Sequence, residues 1–283
     1  MKTITLTQNT PEWLTYRKNR IGGSDAPSIM QCGFKTPYQL FLEKLGLHET
    51  PMNDMMKRGQ ELEPYARQKF IDMTGIEVNA LVVEHDDRSW QIASLDGIDK
   101  DHKVIVEIKT GGGAALERAQ SGKISDGNYC QIQHQLEVTG LSMCFYFFFD
   151  GHNGYPIEIK RDDKYIQRLN EEEKRFWDDL QDFTPPKLTS KDYVEHVTPG
   201  RIRMAAEWLE LNERMKADSL REKDLRDAMI ADAGMPNTIG GGLQISKVVR
   251  QGAVDYKAID ALKEVDLNAY RKAPIEFWRV TKT

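Results

Sequence analysis

The chain has 283 residues, of which 40% are hydrophobic and 29% charged, with 39 Lys+Arg against 44 Asp+Glu and a formal charge of −5. At roughly 100–200 residues per domain this allows one large domain or a core with a smaller annex, and the apolar content excludes a disordered tail. The acidic balance excludes a protein that coats nucleic acid by bulk charge, so a nucleic-acid site must be a local basic lining on an acidic body.

The first half reads as helices. They are predicted over 11–19, from just after Gly22-Gly23 with Ser24 or Asp25 as N-cap, over 37–45, and over 53–74. In the last of these Met56, Leu62, Ala66, Phe70 and Met73 recur at helical spacing, and Gly75 ends it. Strands follow at 80–84, 89–95, 103–109, 141–149 and 155–160, with a helix over 126–139 between the third and the fourth. The aromatic run Phe145 to Phe149 does not alternate, which fits a buried central strand better than a base-stacking surface. A charged amphipathic helix is predicted over 162–180, with Lys160, Arg161, Lys164 and Arg168 as its solvated start.

Pro185-Pro186 marks a boundary, giving a core over 1–185 and an extension over 186–283. The extension reads as a long polar helix near 199–233, a strand at 243–250, a helix near 256–264 and a last strand at 276–282. The fold class is α/β, a mixed central sheet flanked by helices with a C-terminal helical and β extension. No run of about eighteen apolar residues is present and the N-terminus turns polar at once, so no membrane span, no secretion signal and a cytoplasmic setting are expected. Cys32, Cys130 and Cys144 form no CxxC and read as reduced thiols, and the scattered histidines show no zinc spacing.

The chemistry concentrates in ASLDGIDKDHKVIVEIKTGG, residues 93–112. Asp96 follows a strand and adjoins Gly97, which places it at a turn. On the next strand alternation points Glu107 and Lys109 to one face and Val106 and Ile108 to the other. A hairpin then brings Asp96 and Glu107 together, with Lys109 beside them. Two convergent carboxylates suit Mg²⁺ or Mn²⁺, which would polarise a phosphodiester, and Lys109 would orient or deprotonate a water or neutralise developing charge. The same residues also read as an ordinary turn and a solvated strand with an ion pair.

Three further features bear on this. In KRGQELEPYARQKF, Glu63 falls near the core-facing stripe of its helix and needs a partner there, either a metal or Arg58 or Arg67. In YRKNRIGGSDAPSIM, Gly22-Gly23, Ser24, Arg17 and Arg20 form a candidate terminal-phosphate pocket at a helix start, or a capped helix with two surface arginines. In YCQIQHQLEVTG, Gln131 and Gln135 lie four apart on a helix, as do Cys130 and His134; a glutamine here could bond a phosphate or a metal-bound water, while His134 reads as a packed or surface histidine.

The ordered set Arg17…Ser24, Glu63, Ser94-Leu95-Asp96-Gly97, Glu107-Ile108-Lys109 and Gln131 resembles the lambda-exonuclease/YqaJ-type viral recombinase nucleases of the PD-(D/E)xK superfamily. The resemblance spans about residues 12–160; Leu95 stands where the family's nominal proline would be. It implies a restriction-endonuclease-like core, with Asp96 and Glu107 as metal ligands, Glu63 as an additional acidic residue at the metal, and Lys109 as the catalytic lysine. It implies that Arg17, Ser24 and Gln131 hold the 5′-phosphate of a DNA end, with Ser94 near the same phosphates. It further implies Mg²⁺-dependent 5′→3′ digestion of linear duplex DNA to leave a 3′ single strand, a homotrimeric ring and a single-strand annealing partner. The stretch from Thr238 to Ile259 resembles the C-terminal extension of some phage and prophage members. An endonuclease or repair nuclease of the same superfamily, and a catalytically silent DNA-end-binding module, are the alternatives.

Overall fold

The computed structural model describes residues 1–195, 197–234 and 237–250, and beyond them 252–253, 255–256, 259–262, 265–266 and 270–273. The chain divides into two units, Met1–Tyr193 and Val194–Thr283.

The first unit runs β1 (Lys2–Ile4), α1 (Pro11–Lys18), β2 (Ile21–Gly22), α2 (Ala26–Ile29), α3 (Pro37–Lys44), α4 (Asp54–Thr74), β3 (Val78–Glu84), β4 (Gln91–Asp99), β5 (Ile105–Thr110), α5 (Ala114–Gln120), α6 (Asp126–Thr139), β6 (Met143–Phe149), β7 (Gly154–Lys160) and α7 (Asp163–Gln181). The sheet is ordered β1-β3-β4-β5-β6-β7, with β2 alongside β4. β5 and β6 are parallel because α5 and α6 fill the crossover between them. β2 also runs parallel to β4, while the remaining neighbours pair antiparallel.

Two helices decide what faces each side of β5. α6 starts where the Ser125 side chain accepts from the Asn128 N–H and stops at Gly140, whose φ of 72° is left-handed. Its Ile132 and Leu136 pack with Val83, Ala93, Leu95 and Ile105. α4 is capped by Asn53 and closed by Gly75, and sets Ala66 and Phe70 against Val78, Val106, Ile108 and Phe147. Only Ala66 and Phe70 of its expected stripe are buried; Met56 and Met73 are about half exposed, so this helix lays a narrow seam on the sheet. β6, between β5 and β7, buries Tyr146, Phe147, Phe148 and Phe149.

The important departure from the predicted elements is at Asp96-Gly97. β4 does not end at residue 95 but runs on to Asp99, and the two residues form a bulge inside it. Pairing goes from Leu81↔Leu95 to Asn79↔Ile98, so β4 advances three residues while β3 advances two. Gly97 serves close strand packing, since a Cβ there would meet Val78 Cγ2 at 2.9 Å. The chain reverses instead beyond Asp99, whose carboxylate accepts from the N–H groups of Asp101, Lys103 and Val104. The short β1, β2 and α5 were not expected. Arg161 is not a solvated side chain: it donates to the Leu136 carbonyl and pairs with Glu137 and Asp163.

In the second unit α8 (Pro199–Ala233) is capped by Thr198 and ends at Gly234. β8 (Asn237–Gly240) and β9 (Leu243–Ser246) form an antiparallel hairpin over Gly241 and Gly242, with φ of 58° and 78°. Two successive positive φ values are what a two-residue hairpin turn needs, which accounts for the glycine run. The expected strand at 243–250 thus ends at Ser246 and has β8 as its partner. Of the expected helix at 256–264 the described residues hold a short 3₁₀ turn, Asp260–Leu262; its other residues fall partly, and the expected strand at 276–282 wholly, outside the described residues.

Candidate active site

The bulge re-aims Asp96. β4 and β5 pair at Gly97↔Val106 and Ile98↔Ile105 and then part. Where they part, Asp96 Oδ2 accepts the Ile108 N–H at 2.8 Å, so the carboxylate takes the place of a lost rung of the ladder. This holds the side chain beside Glu107 on the neighbouring strand. Burial first, then the charges of Glu107 and Glu63, push the Asp96 pKa well above the ordinary carboxylate value against the pull of Lys109.

Glu107 is almost fully buried, and α6 presents three donors to it together with its own strand. Lys109 Nζ donates to Oε1 at 2.5 Å and Gln131 Nε2 donates to the same oxygen at 2.8 Å. Gln135 Nε2 donates to Oε2 at 2.6 Å. Lys109 also reaches Gln131 Oε1 at 3.2 Å. Burial works against the Lys109 ammonium, but Glu107 and Asp96 outweigh it and raise its pKa. The group is therefore a fixed cation rather than a base in this state.

α4 closes the other side. Arg67 Nε donates to the Asp96 carbonyl at 2.6 Å, and its terminal nitrogen pairs with Glu63 one turn away. Burial raises the Glu63 pKa and Glu107 adds to it, with Arg67 and Lys109 opposing. Asp96, Glu107, Glu63 and Lys109 thus form one electrostatic group.

The glycine turn lies against α6. A Cβ on Gly23 would lie at contact distance, 3.4 Å, from both Gln131 Cγ and Gln135 Cγ, so the turn adjoins those two stems. Arg17 bonds the Ser24 hydroxyl and pairs with Asp25 Oδ1 at 3.1 Å. Asp25 does not cap the helix with its side chain. Its Oδ2 accepts from the Gly22 N–H at 2.9 Å and from the buried Lys44 at 2.6 Å, and Lys44 also donates to the Arg17 and Arg20 carbonyls. Burial opposes ionisation of Asp25, but Lys44 and then Arg17 prevail and hold its pKa below the usual range. α2 is only four residues long, so charge at this turn comes from Arg17 rather than from a helix dipole. Arg20 is drawn away: it covers the Tyr16 ring at 3.7 Å and approaches Glu84.

The structure therefore groups Asp96, Glu107, Lys109, Glu63 and Gln131, and beside them Arg17 with Ser24. Gln131 binds Glu107 and Lys109. Ser94 Oγ accepts from Trp13 Nε1 at 3.0 Å, and Trp13 lies under Arg17. Of the further residues here, Lys44 has no part in the sequence analysis, whereas Arg67 is the partner it offers for Glu63 and Gln135 is the helical neighbour it pairs with Gln131. Lys44 had a readable signal, since it shares the buried face of α3 with Leu40 and Phe41. Arg67 and Gln135 lie one helical turn from Glu63 and Gln131.

Among the described residues, no three His, Cys, Asp or Glu converge as a ready-made metal cage. Lys109 and Arg67 stand against Glu107 and Glu63 instead. The donor chemistry nonetheless fits a hard divalent ion: the carboxylates are oxygen donors, and their proximity raises the pKa of Asp96 in a way that a nearby cation would relieve.

Known proteins agree with this architecture. Residues 12–142 match the YqaJ-like viral recombinase domain. The uncharacterized protein YqaJ of Bacillus subtilis (strain 168) is 30% identical over 178 residues, covering 59% of this chain and 55% of that protein. The chain thus spans about half the length of that curated relative. The crystal structure of an alkaline exonuclease, LHK-Exo from Laribacter hongkongensis, is similar with a TM-score of 0.55 at 26% identity, covering 62% of this chain and 94% of that one. The LHK-Exo complex with dAMP gives the same figures. Over residues 12–142 the chain is thus similar to the YqaJ-like viral recombinase domain, and it shares with that alkaline exonuclease a restriction-endonuclease-like fold.

Proposed function

We propose that this protein is a divalent-metal-dependent exonuclease that digests one strand of linear duplex DNA from the 5′ end, leaving a 3′ single strand for recombination by annealing. The observation that carries this is the joining of two devices through α6: a carboxylate–lysine group at the β4 bulge and an arginine–serine turn resting on Gln131 and Gln135. The similarity to an alkaline exonuclease supports the same reading.

In this reading Asp96, Glu107 and Glu63 hold Mg²⁺, with Mn²⁺ as a substitute. The bound ion would supply Lewis-acid polarisation of the scissile phosphodiester and acidify the attacking water. Lys109, kept charged by Glu107 and Asp96, donates to the negative charge that develops on the phosphate. Arg17 offers a planar fork to a terminal 5′-phosphate and Ser24 a hydroxyl, while Asp25 and Lys44 hold the arginine in place. Gln131, on Lys109 and Glu107, links the two devices. A closed homotrimeric ring, by which an acidic body would retain threaded DNA, and a single-strand annealing partner belong to the same proposal.

A time course on linear duplex tests it, with one end blocked, the other bearing either a 5′-phosphate or a 5′-hydroxyl, and Mg²⁺ present or absent. Loss of the 5′-ended strand only with Mg²⁺, faster from the phosphate, is expected, with closed circular plasmid left intact. Arg17→Ala should erase most of the phosphate preference, on the order of 10-fold or more for a lost charged hydrogen bond. Cutting of closed circles would point to an endonuclease, and digestion without added metal would overturn the metal-dependent mechanism.

A further inference from the structure

Gln135 is buried to 1% exposure, yet among the described residues its Oε1 is the one buried side-chain nitrogen or oxygen without a hydrogen-bond partner. An orphaned buried acceptor is destabilising, and its helical neighbours Ile132 and Leu136 show that this face of α6 accepts apolar side chains. The amide is also oriented in only one way. Turning it over would aim Oε1 at the Glu107 carboxylate, oxygen against oxygen, whereas the present orientation gives Nε2 to Glu107 Oε2 at 2.6 Å. Glu107 Oε1 already accepts from Lys109 and Gln131. Two glutamines one helical turn apart therefore grip the two oxygens of one carboxylate, and Gln135 is the sole donor described on the second. That leaves Oε2 a free lone pair in a fixed direction.

We propose that Gln135 is a positioning residue that orients Glu107 Oε2 as a ligand for the divalent ion. This rests on the metal-dependent reading above. Both glutamine stems also adjoin Gly23, so the candidate phosphate turn and the carboxylate lie beside the same pair of side chains.

The test is direct Mn²⁺ binding by the full chain without DNA, read from the loss of the free-ion electron paramagnetic resonance signal, with thermal melting of the metal-free protein alongside. Partners that orient a metal ligand are commonly worth about 10- to 100-fold in metal affinity. Gln135→Met keeps the length of the side chain, removes the donor and removes the orphaned acceptor. The Mn²⁺ dissociation constant should rise by about 10-fold or more, and a cooperative metal-free melting curve checks that the variant is folded, since it loses the orphaned Oε1 but leaves Glu107 Oε2 without its donor. A folded Gln135→Met protein that binds Mn²⁺ as the parent does overturns the proposal. If Gln135→Met does not fold, Gln135→Asn, which keeps an amide but draws it back by one methylene, is read in the same way. A parent chain that binds no Mn²⁺ overturns the metal-dependent reading itself, which separates the two failures.

Discussion

At the scale of single residues the candidate site crowds Asp96, Glu107 and Glu63 together, with Lys109 and Arg67 only partly offsetting their charge. Asp96 shows this most clearly, because its pKa is raised by burial and by Glu107 and Glu63. A carboxylate whose folded pKa exceeds its unfolded value favours the fold most below the unfolded pKa, and that contribution is lost as pH rises through the folded value. At neutral pH and without metal, Asp96 therefore works against stability. Asp96→Asn keeps an oxygen to accept the Ile108 N–H and removes the charge. It should melt higher than the parent chain in metal-free buffer and should cut DNA slower by on the order of 10³-fold or more. Lys109→Ala should cut as poorly but melt lower, since it strips Glu107 of a counter-ion. Melting curves in chelator with a nuclease assay check both, and an Asp96→Asn protein less stable than its parent would refute the account of mutual repulsion. Much of this constellation was legible: strand alternation alone put Glu107 and Lys109 on one face. The aim of Asp96 was not, because Asp-Gly is the commonest sign of a turn and nothing local distinguishes a turn from a bulge. What distinguishes them is Val78, far along the chain, which leaves no room for a side chain at residue 97.

At the scale of elements the outcome follows how far each signal is local. α6 spans the predicted residues from end to end because its cap Ser125 and its stop Gly140 adjoin it. β1 and β2, three and two residues long, exist only through pairing with β3 and β4 and have no periodicity to read. Packing of α6 on α7 was equally hidden, since it depends on a buried polar staple. His134 Nε2 faces the Ile92 carbonyl at 2.8 Å, which can only accept, and Nδ1 faces Glu173 at 2.7 Å; Gln91 secures the other oxygen of Glu173. Burial disfavours charge on His134, but Glu173 and the Ile92 carbonyl prevail and raise its pKa. A raised histidine pKa stabilises fully below the unfolded value of about 6.5, and the benefit is lost as pH rises through the folded value. On the acid side the sign reverses. Glu137 is opposed by burial but held down to about 2 by Asn170, Arg161 and Arg88, so its contribution is present above its unfolded pKa and is lost as pH falls toward about 2. Urea midpoints measured from about pH 6 to about pH 9 should therefore fall with pH in the parent chain. Glu173→Gln should lower stability near neutrality by roughly 3–5 kcal/mol, the usual cost of removing one partner of a buried pair, and flatten that decline. Parallel curves for the two proteins would show that the His134–Glu173 pair is not what titrates.

At the scale of the whole molecule, every residue of the candidate site lies in the first unit. Arg17, Ser24, Asp25, Lys44, Glu63, Asp96, Glu107, Lys109, Gln131 and Gln135 all precede Tyr193, and so do the hydrophobic clusters around α3, α4, α6 and α7. The proline pair at 185–186 had suggested a boundary, yet Thr36 of α3 bonds Asp192, and Asp192 also accepts from the Thr189 backbone and hydroxyl. A segment tied in this way belongs with the core, because cutting before it would remove the acceptor from Thr36, which caps α3. A chain ending at Tyr193 should therefore fold cooperatively and bind Mn²⁺ as the full chain does, while one ending at Thr184 should melt lower, by about 1–2 kcal/mol for the disturbed cap and lost hydrogen bonds. Chemical denaturation and metal titration of the two truncations decide this. If the longer one does not fold or binds no metal, the first unit is not self-sufficient, and the second supplies something on which the site depends. If it folds and binds Mn²⁺ but digests linear duplex DNA more slowly than the full chain, the second unit acts on DNA or on assembly rather than on the chemistry, in keeping with a hairpin and a helix that bear none of these residues.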